Sequence, residues 1–294
     1  MRKDTTINQM ENDKNEDPFS CFDGDSDEDN ELETNVKRDE ESCGILAFHP
    51  QTESSLLTYI QNNYQKGNPP QNILKSVDEY CFTRHWMMHI GPEKRNIIQS
   101  KLESSIRNFI SNSNSDQFTV VELGTYCGYS AISLGLILNK EKYPNKTFKL
   151  YSFDVVPHYS SIANQLIQLA QLDNAKTIVL SEDEDPSKWC SNHGINNIDF
   201  LFLDHDKSKY TKDLISFENS KMLSKDSVVI ADNVLFAGID DFTQYAQTLE
   251  TSCKVIRDTI KTNVEYCNED VHEDAIGKLN MKLYFYQVRL ICMM

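Results

Sequence analysis

The sequence predicts an α/β protein built on a doubly wound, mostly parallel sheet, and three observations carry that prediction. Five short, nearly continuous apolar runs recur at residues 118–124, 148–154, 177–181, 198–204 and 227–233. Helical patterns such as AISLGLIL (131–138) and YSSIANQLIQLA (159–170) fall between them. Polar residues stand at or beside the ends of four runs: Glu122, Asp154, Asp204, and Asp232 with Asn233. Apolar strands alternating with helices imply a parallel sheet covered on both faces. In such sheets ligands bind beyond the carboxyl ends of the strands, where these polar residues stand.

The first stretch of the chain is of another kind. Residues 1–44 carry fifteen Asp/Glu against five Lys/Arg, hence −10 of the formal −16. They have no periodic apolar face and cannot bury enough surface to offset their ordering entropy. Residues 1–50 are therefore read as a disordered acidic tail and 51–294 as one folded domain. From residue 52, SSLLTYIQNNY and ILKSVDEYCFTRHW have helical spacing, broken by Gly67-Asn68-Pro69-Pro70, and a third helix follows Pro92. These are helices added before the sheet. Residues 253–260 and 281–288 read as two further strands, placing an antiparallel strand at one edge.

Charge and composition exclude several functions. A domain of net charge about −6 lacks the basic footprint that phosphates demand, so no nucleic acid is expected as a partner. No apolar run reaches the roughly 18 residues of a membrane span, and MRKDTTINQMENDK has no apolar signal core. The eight cysteines form no C-x-x-C pair, which suits reduced thiols in the cytoplasm. A cytoplasmic monomer without a membrane partner is the expectation.

The first run leads into Glu122-Leu-Gly124-Thr-Tyr-Cys-Gly128-Tyr-Ser130 and then a helix. Glycines there let the backbone approach a ligand, and the helix N-terminus favours an anionic group. Their spacing is not the dinucleotide fingerprint and suits a single nucleoside with an amino-acid tail. Asp154 is placed to accept both ribose hydroxyls. The same pattern also suits an ordinary strand-to-helix turn with a solvated acid. Asp204, Asp232 and Asn233 offer three oxygen ligands on neighbouring strands, a set suited to a hard cation such as Mg²⁺ with positions left for substrate oxygens. Lys207, three residues past Asp204, is a candidate general base. Capping carboxylates beside a solvated lysine are the alternative. His85 and His89 stand four apart without a third zinc ligand nearby.

These residues together resemble the catechol O-methyltransferase family over roughly residues 52–288. EYCFTRHWMMHIGPEK is similar to the family's substrate-site helix and turn, VELGTYCGYSA to its methyltransferase motif, FLDHDKSKY to its metal-and-base loop, and ADNV to its second metal segment. The resemblance implies a Rossmann-like fold, S-adenosylmethionine as cosubstrate, Mg²⁺, and a small-molecule catechol as substrate. It implies Trp86 and Met88 at the catechol and sulfonium, the Ile90 backbone at the cofactor carboxylate, and Glu122, Gly124 and Ser130 at the methionine portion. Asp154 would take the ribose, with Tyr159 at the family's tyrosine position after that strand. His205 and Glu184 or Asp185 would take the adenine. Asp204, Asp232 and Asn233 would hold the metal, Lys207 would take the phenol proton, and Glu265 would bind the second hydroxyl. Three positions depart from the family: Asp206 replaces a tryptophan, the acids at 182–185 replace a small neutral loop, and Ala237 replaces a proline. A methyltransferase for another vicinal-diol phenol and a catalytically degenerate binding protein are the rival readings.

The tail's composition generates one prediction. Removing residues 1–44 is expected to leave the melting temperature of the domain unchanged; a loss of several degrees on truncation would show that the tail packs on it.

Overall fold

The computed structural model describes residues 51–65, 67–138, 143–234, 239–252, 255–261 and 282–288. The acidic segment, Ala237 and Glu265 lie outside them. Three helices come first: α1 (Thr52–Asn63), α2 (Gln71–Thr83) and α3 (Gly91–Asn112). Strand β1 (Gln117–Leu123) follows, then α4 (Tyr129–Ile137), β2 (Thr147–Asp154), α5 (Pro157–Leu169) and β3 (Ala175–Val179). Next come α6 (Pro186–Asn192), β4 (Ile198–Leu203), a 3₁₀ turn at Lys207–Lys209, α7 (Tyr210–Asn219) and β5 (Leu223–Ala231). The described chain closes with α8 (Asp240–Thr251), β6 (Val255–Lys261) and β7 (Lys282–Val288).

The sheet runs β3-β2-β1-β4-β5-β7-β6, with β1 to β5 all parallel. The expected antiparallel strand is β7, which pairs with both β5 and β6, so that β6 rather than β7 forms the outer edge. Side-chain alternation explains why both faces are covered. Phe118, Val120, Phe148, Leu150, Phe200, Phe202 and Ile230 face a core shared with α1 to α5. Val121, Leu123, Phe153, Leu201, Leu203 and Val229 face a second core shared with α6, α7 and α8. An all-apolar run is needed because neither face meets water.

The helices show how local pattern becomes packing. In α2 the buried residues Ile73, Leu74, Val77, Tyr80 and Cys81 make one stripe. Gly91 and Pro92 open α3, where a proline costs no hydrogen bond. A polar lock then sets the three neighbouring helices: Arg95 donates to Asp78 at 2.9 Å and to the Tyr129 hydroxyl at 2.6 Å, and that hydroxyl also meets Asp78 at 2.6 Å. α6, α7 and α8, for which the sequence pattern gave no specific segment, cover the second face.

Strand order reverses between β1 and β4: the chain goes outward from β1 to β2 and β3, then returns to lay β4 on the other side of β1. The ends of β1 and β4 touch at Gly124 and Asp204, and beyond that contact the chain leaves the two strands in opposite directions, the switch point at which such folds open a crevice. The candidate residues Glu122, Asp204 and Lys207 belong to the segments at these strand ends.

Helix α4, which starts at this crevice, is finished from a distance. Asn174, in the link before β3, donates its side-chain amide to the carbonyls of Gly135 at 3.0 Å and Leu138 at 2.6 Å. Asn174→Ala would leave both carbonyls without that donor, and a lost partner of this sort costs about 1–3 kcal/mol. Chemical denaturation should show a loss of that size with an unchanged m-value.

Candidate functional site

The first half of the crevice is built on the turn after β1. Gly124 has φ +100°, and a Cβ there would lie 2.2 Å from the Asp204 carbonyl oxygen. Only glycine lets the β1 turn approach the β4 end this closely. Two residues on, Tyr126 adopts the left-handed region with φ 45°, costly for a tyrosine, and several contacts hold it there. Its N–H donates to Asp154 Oδ2 at 2.8 Å, its hydroxyl donates to Glu53 of α1 at 2.7 Å, and its ring packs edge-on to Tyr159 at 4.9 Å. The other Asp154 oxygen accepts from the Val156 N–H at 2.8 Å. Asp154 is thus the clamp between two turns as well as the residue assigned to the ribose. Burial raises its pKa against those N–H donors.

Glu122 is wholly buried beneath the same turn. The Ser152 hydroxyl donates to Oε2 at 2.5 Å, while Oε1 has no hydrogen-bond partner. Burial pushes its pKa up to about 8, opposed by the Ser130 and Ser152 hydroxyls. A fully buried carboxylate with an unpartnered oxygen calls for a donor from outside the protein, and a cationic one would suit it best. Ser130 is buried in the first turn of α4, and Ile90 is buried at the N-terminus of α3. Trp86 packs against the first core, and Met88 remains 38% exposed. Residues 85–89 are not helical, so the two histidines do not share a helix face. His89 is instead buried against Tyr126 and Tyr129, with ring centroids 5.1 and 5.4 Å away, and burial lowers its pKa to about 3.

The second half lies where β4 and β5 end. Asp204 follows β4, and Asp232 and Asn233 follow the neighbouring β5; burial raises Asp204 to about 6, against the Lys207 ammonium and with Asp232 adding to it. Asn233 takes φ 57°, a conformation asparagine tolerates better than most side chains. Lys207 donates to Asp204 Oδ1 at 3.1 Å and to the Tyr210 hydroxyl at 2.8 Å. Tyr210, fully buried, passes its own proton towards the Leu203 carbonyl at 2.8 Å, with the Asp232 carbonyl at 3.2 Å. One phenol therefore ties Lys207 to the backbone at the ends of both β4 and β5.

Lys94 is the main residue that sequence reasoning missed. From the first turn of α3 it donates to Asp232 Oδ2 at 2.9 Å and to Asn233 Oδ1 at 2.9 Å, with its side chain only 1% exposed. A signal was present: Lys94 continues the buried stripe of Ile98, Leu102 and Ile106, and a lysine on an apolar stripe must find a buried anion. Among the described residues, no three acid, imidazole or thiol side chains cluster as a metal site. The trio here is two carboxylates and an amide, and that oxygen-only donor set fits a hard cation.

The acidic loop resolves into distinct roles. Asp185 caps α6, accepting from the Ser187 N–H at 2.9 Å and the Lys188 N–H at 3.4 Å, and Ser216 of α7 donates to it at 2.7 Å. It is engaged in structure, whereas Glu184 is exposed and accepts from the Ser181 N–H at 3.2 Å. Asp206 likewise caps the 3₁₀ turn through the Ser208 N–H at 2.9 Å, so this departure serves the local backbone. His205 pairs through Nε2 with Asp213 at 2.8 Å, and its buried Nδ1 has no hydrogen-bond partner.

A family model described as O-methyltransferase matches residues 88–275. Catechol O-methyltransferase of Mus musculus is 29% identical over 196 residues, 66% of this chain and 68% of the relative. Catechol O-methyltransferase B of Danio rerio is 31% identical over 226 residues, 76% of each chain. The O-methyltransferase from Bacillus cereus, solved in complex with SAH, shares the fold: its TM-score is 0.54 at 16% identity, over 79% of this chain and 96% of that one.

The Glu122 environment sets a pH dependence. With a folded pKa of about 8 against an ordinary 4.5, the ligand-free folded state keeps a proton that the unfolded chain releases. That contribution to stability is complete below about 4.5 and is lost as pH rises through about 8. The stability difference between wild type and Glu122→Gln, followed by urea midpoints from pH 4 to 9, should therefore fall with pH over this window; a flat difference would show an ordinary carboxylate.

Proposed function

The chain belongs to the O-methyltransferase family, and we propose that it moves a methyl group from S-adenosylmethionine to a hydroxyl of a catechol, with Mg²⁺ held by Asp204, Asp232 and Asn233. The observation that supports this most is the Lys207–Asp204 contact at 3.1 Å just past β4, with Asp232 and Asn233 just past the neighbouring strand β5. Catechol O-methyltransferases among the relatives support the substrate class.

Each residue then has a task. Glu122 and Ser130 receive the ammonium end of the cosubstrate, the Ile90 backbone receives its carboxylate, and Asp154 receives the ribose. Glu184 and His205 border the adenine. Lys207, fixed by Asp204 and Tyr210, takes up the phenol proton. Trp86 and Met88 wall the catechol ring, and Glu265, outside the described residues, binds its second hydroxyl. The cation, when bound, supplies Lewis-acid activation and a chelation point that two adjacent oxygens can fill and a lone phenol cannot. Most of the acceleration comes from holding the attacking oxygen in line with the methyl group, since effective molarities can reach about 10⁵–10⁸ M.

We place the protein in the cytoplasm as a monomer. Cys81, Cys127 and Cys190 are not in disulfides, and among the described residues no helix is long and apolar enough to cross a membrane. The exposed acids Glu182, Asp183 and Glu184 beside the adenine position favour a second reading, a cofactor-binding scaffold without catalysis.

Titration with S-adenosylmethionine, with and without Mg²⁺ and a simple catechol, tests the reading as a whole. The cosubstrate should bind without metal, and methylated catechol should form only with it. Lys207→Ala should lower kcat by roughly 10²–10⁴-fold with little change in melting temperature. Binding without turnover on any vicinal diol would favour the scaffold, and full activity in excess chelator would remove the metal from the mechanism.

A further inference from the structure

We propose that Tyr210 is a positioning residue that aims the Lys207 nitrogen at one of the two diol hydroxyls, and so decides which of them is methylated. The inference rests on the proposed function, because it gives a direction to the base assigned there.

A lysine nitrogen has three positions besides its carbon stem. In the neutral amine two are N–H donors and the third is the lone pair; in the ammonium all three are donors. Lys207 Nζ lies 3.1 Å from Asp204 Oδ1 and 2.8 Å from the Tyr210 hydroxyl, its two acceptors among the described residues. With two N–H groups so engaged, the lone pair of the amine is left with one direction. The ammonium places its third N–H along the same line, so the direction does not depend on the charge of Lys207.

Tyr210 is set as an acceptor towards this nitrogen. Its single proton goes to the Leu203 carbonyl at 2.8 Å, with the Asp232 carbonyl at 3.2 Å. The residue is fully buried, its ring stacked on His205 at 5.0 Å and edge-on to Phe242 at 5.4 Å. Two main-chain carbonyls and two rings thus hold the phenol oxygen in place.

Asp204 alone would not fix the base. One hydrogen bond leaves the amine free to turn about it on a flexible four-carbon stem. Asp204 also belongs to the proposed metal trio, and a carboxylate shared with a cation has less to offer Lys207. The Tyr210 oxygen is held by main-chain groups and does not depend on the side chains of that trio.

The consequence is selectivity. The two hydroxyls of a simple diol are adjacent and similar in acidity, so an amine free to turn would serve either. An aimed nitrogen serves the hydroxyl on its line, because a general base must lie within hydrogen-bond reach of the proton it takes.

Tyr210→Phe isolates the hydroxyl. The ring is kept against His205 and Phe242, and with it the surface facing Lys207 Nζ, 5.0 Å from its centroid. The Leu203 carbonyl still accepts from the Asp232 N–H at 2.9 Å, so it is not left without a donor.

The test uses the full chain with Mg²⁺, S-adenosylmethionine and 4-methylcatechol, whose hydroxyls differ only in their distance from a small methyl group. Chromatography gives the ratio of the two singly methylated products alongside kcat and KM. Tyr210→Phe should lower kcat about 10–100-fold and move the ratio about 3-fold or more towards equality, with KM within about 2-fold of wild type, as for a misplaced catalytic group. Calorimetric affinity for S-adenosylhomocysteine, measured without metal, should not change. In a Lys207→Ala background the same substitution should alter neither kcat nor the ratio, since a residue acting through Lys207 has nothing left to aim. A wild-type ratio in Tyr210→Phe overturns the proposal. An equal loss of kcat in both backgrounds overturns it too and makes Tyr210 a structural residue. Should Tyr210→Phe not fold, Lys207→Ala by itself should lose the wild-type bias, and a bias it retains overturns the proposal. Each of these results leaves the proposed function standing, whereas no methyl transfer to any vicinal diol by wild type would remove that function and this inference together.

Discussion

The contact between the β1 turn and the end of β4 is the constraint on which the site depends. A Cβ at Gly124 would stand 2.2 Å from the Asp204 carbonyl, so the two loops meet backbone to backbone. The switch in strand order makes such a meeting possible by placing β4 directly beside β1. It brings Glu122, near the end of β1, and Asp204, just past the end of β4, close enough for their charges to interact. Tyr126, Asp154 and Glu53 then brace the turn from the α5 and α1 sides, which accounts for a tyrosine held at positive φ.

The second organising fact is that buried charges are met by partners from other elements. Two lysines face two aspartates, and a tyrosine links one lysine to the strand backbone. Glu122, by contrast, keeps one oxygen without a partner and a pKa near 8. The two halves of the crevice therefore make different demands. The Glu122 side leaves one oxygen open to a donor, while Asp232 and Asp204 are each met by a lysine.

Departures from the family pattern turn out to be uses of short acids to start helices. Asp206 caps the 3₁₀ turn leading into α7, and Asp185 caps α6 while tying it to α7. A carboxylate that caps a helix is engaged by backbone N–H groups, and it is not free to reach a ligand. This physical occupation separates Asp185 from the exposed Glu184.

The sequence by itself determined the sheet and its ligand edge. Runs such as FTVVEL and IDFLFL are apolar on both faces, a pattern only a doubly covered parallel strand requires, and the acids at their ends mark where that covering stops. Glu122, Asp154, Asp204 and Asp232 were legible for this reason. Lys94, Tyr210 and Glu53 were not, because their partners lie 138, 22 and 73 residues away and no local pattern specifies which anion, carbonyl or hydroxyl a buried polar side chain will meet. The tertiary structure alone decided those pairings, since burying a charge or hydroxyl is tolerable only where the packing of α1, α3 and α7 on the sheet delivers a partner within about 3 Å.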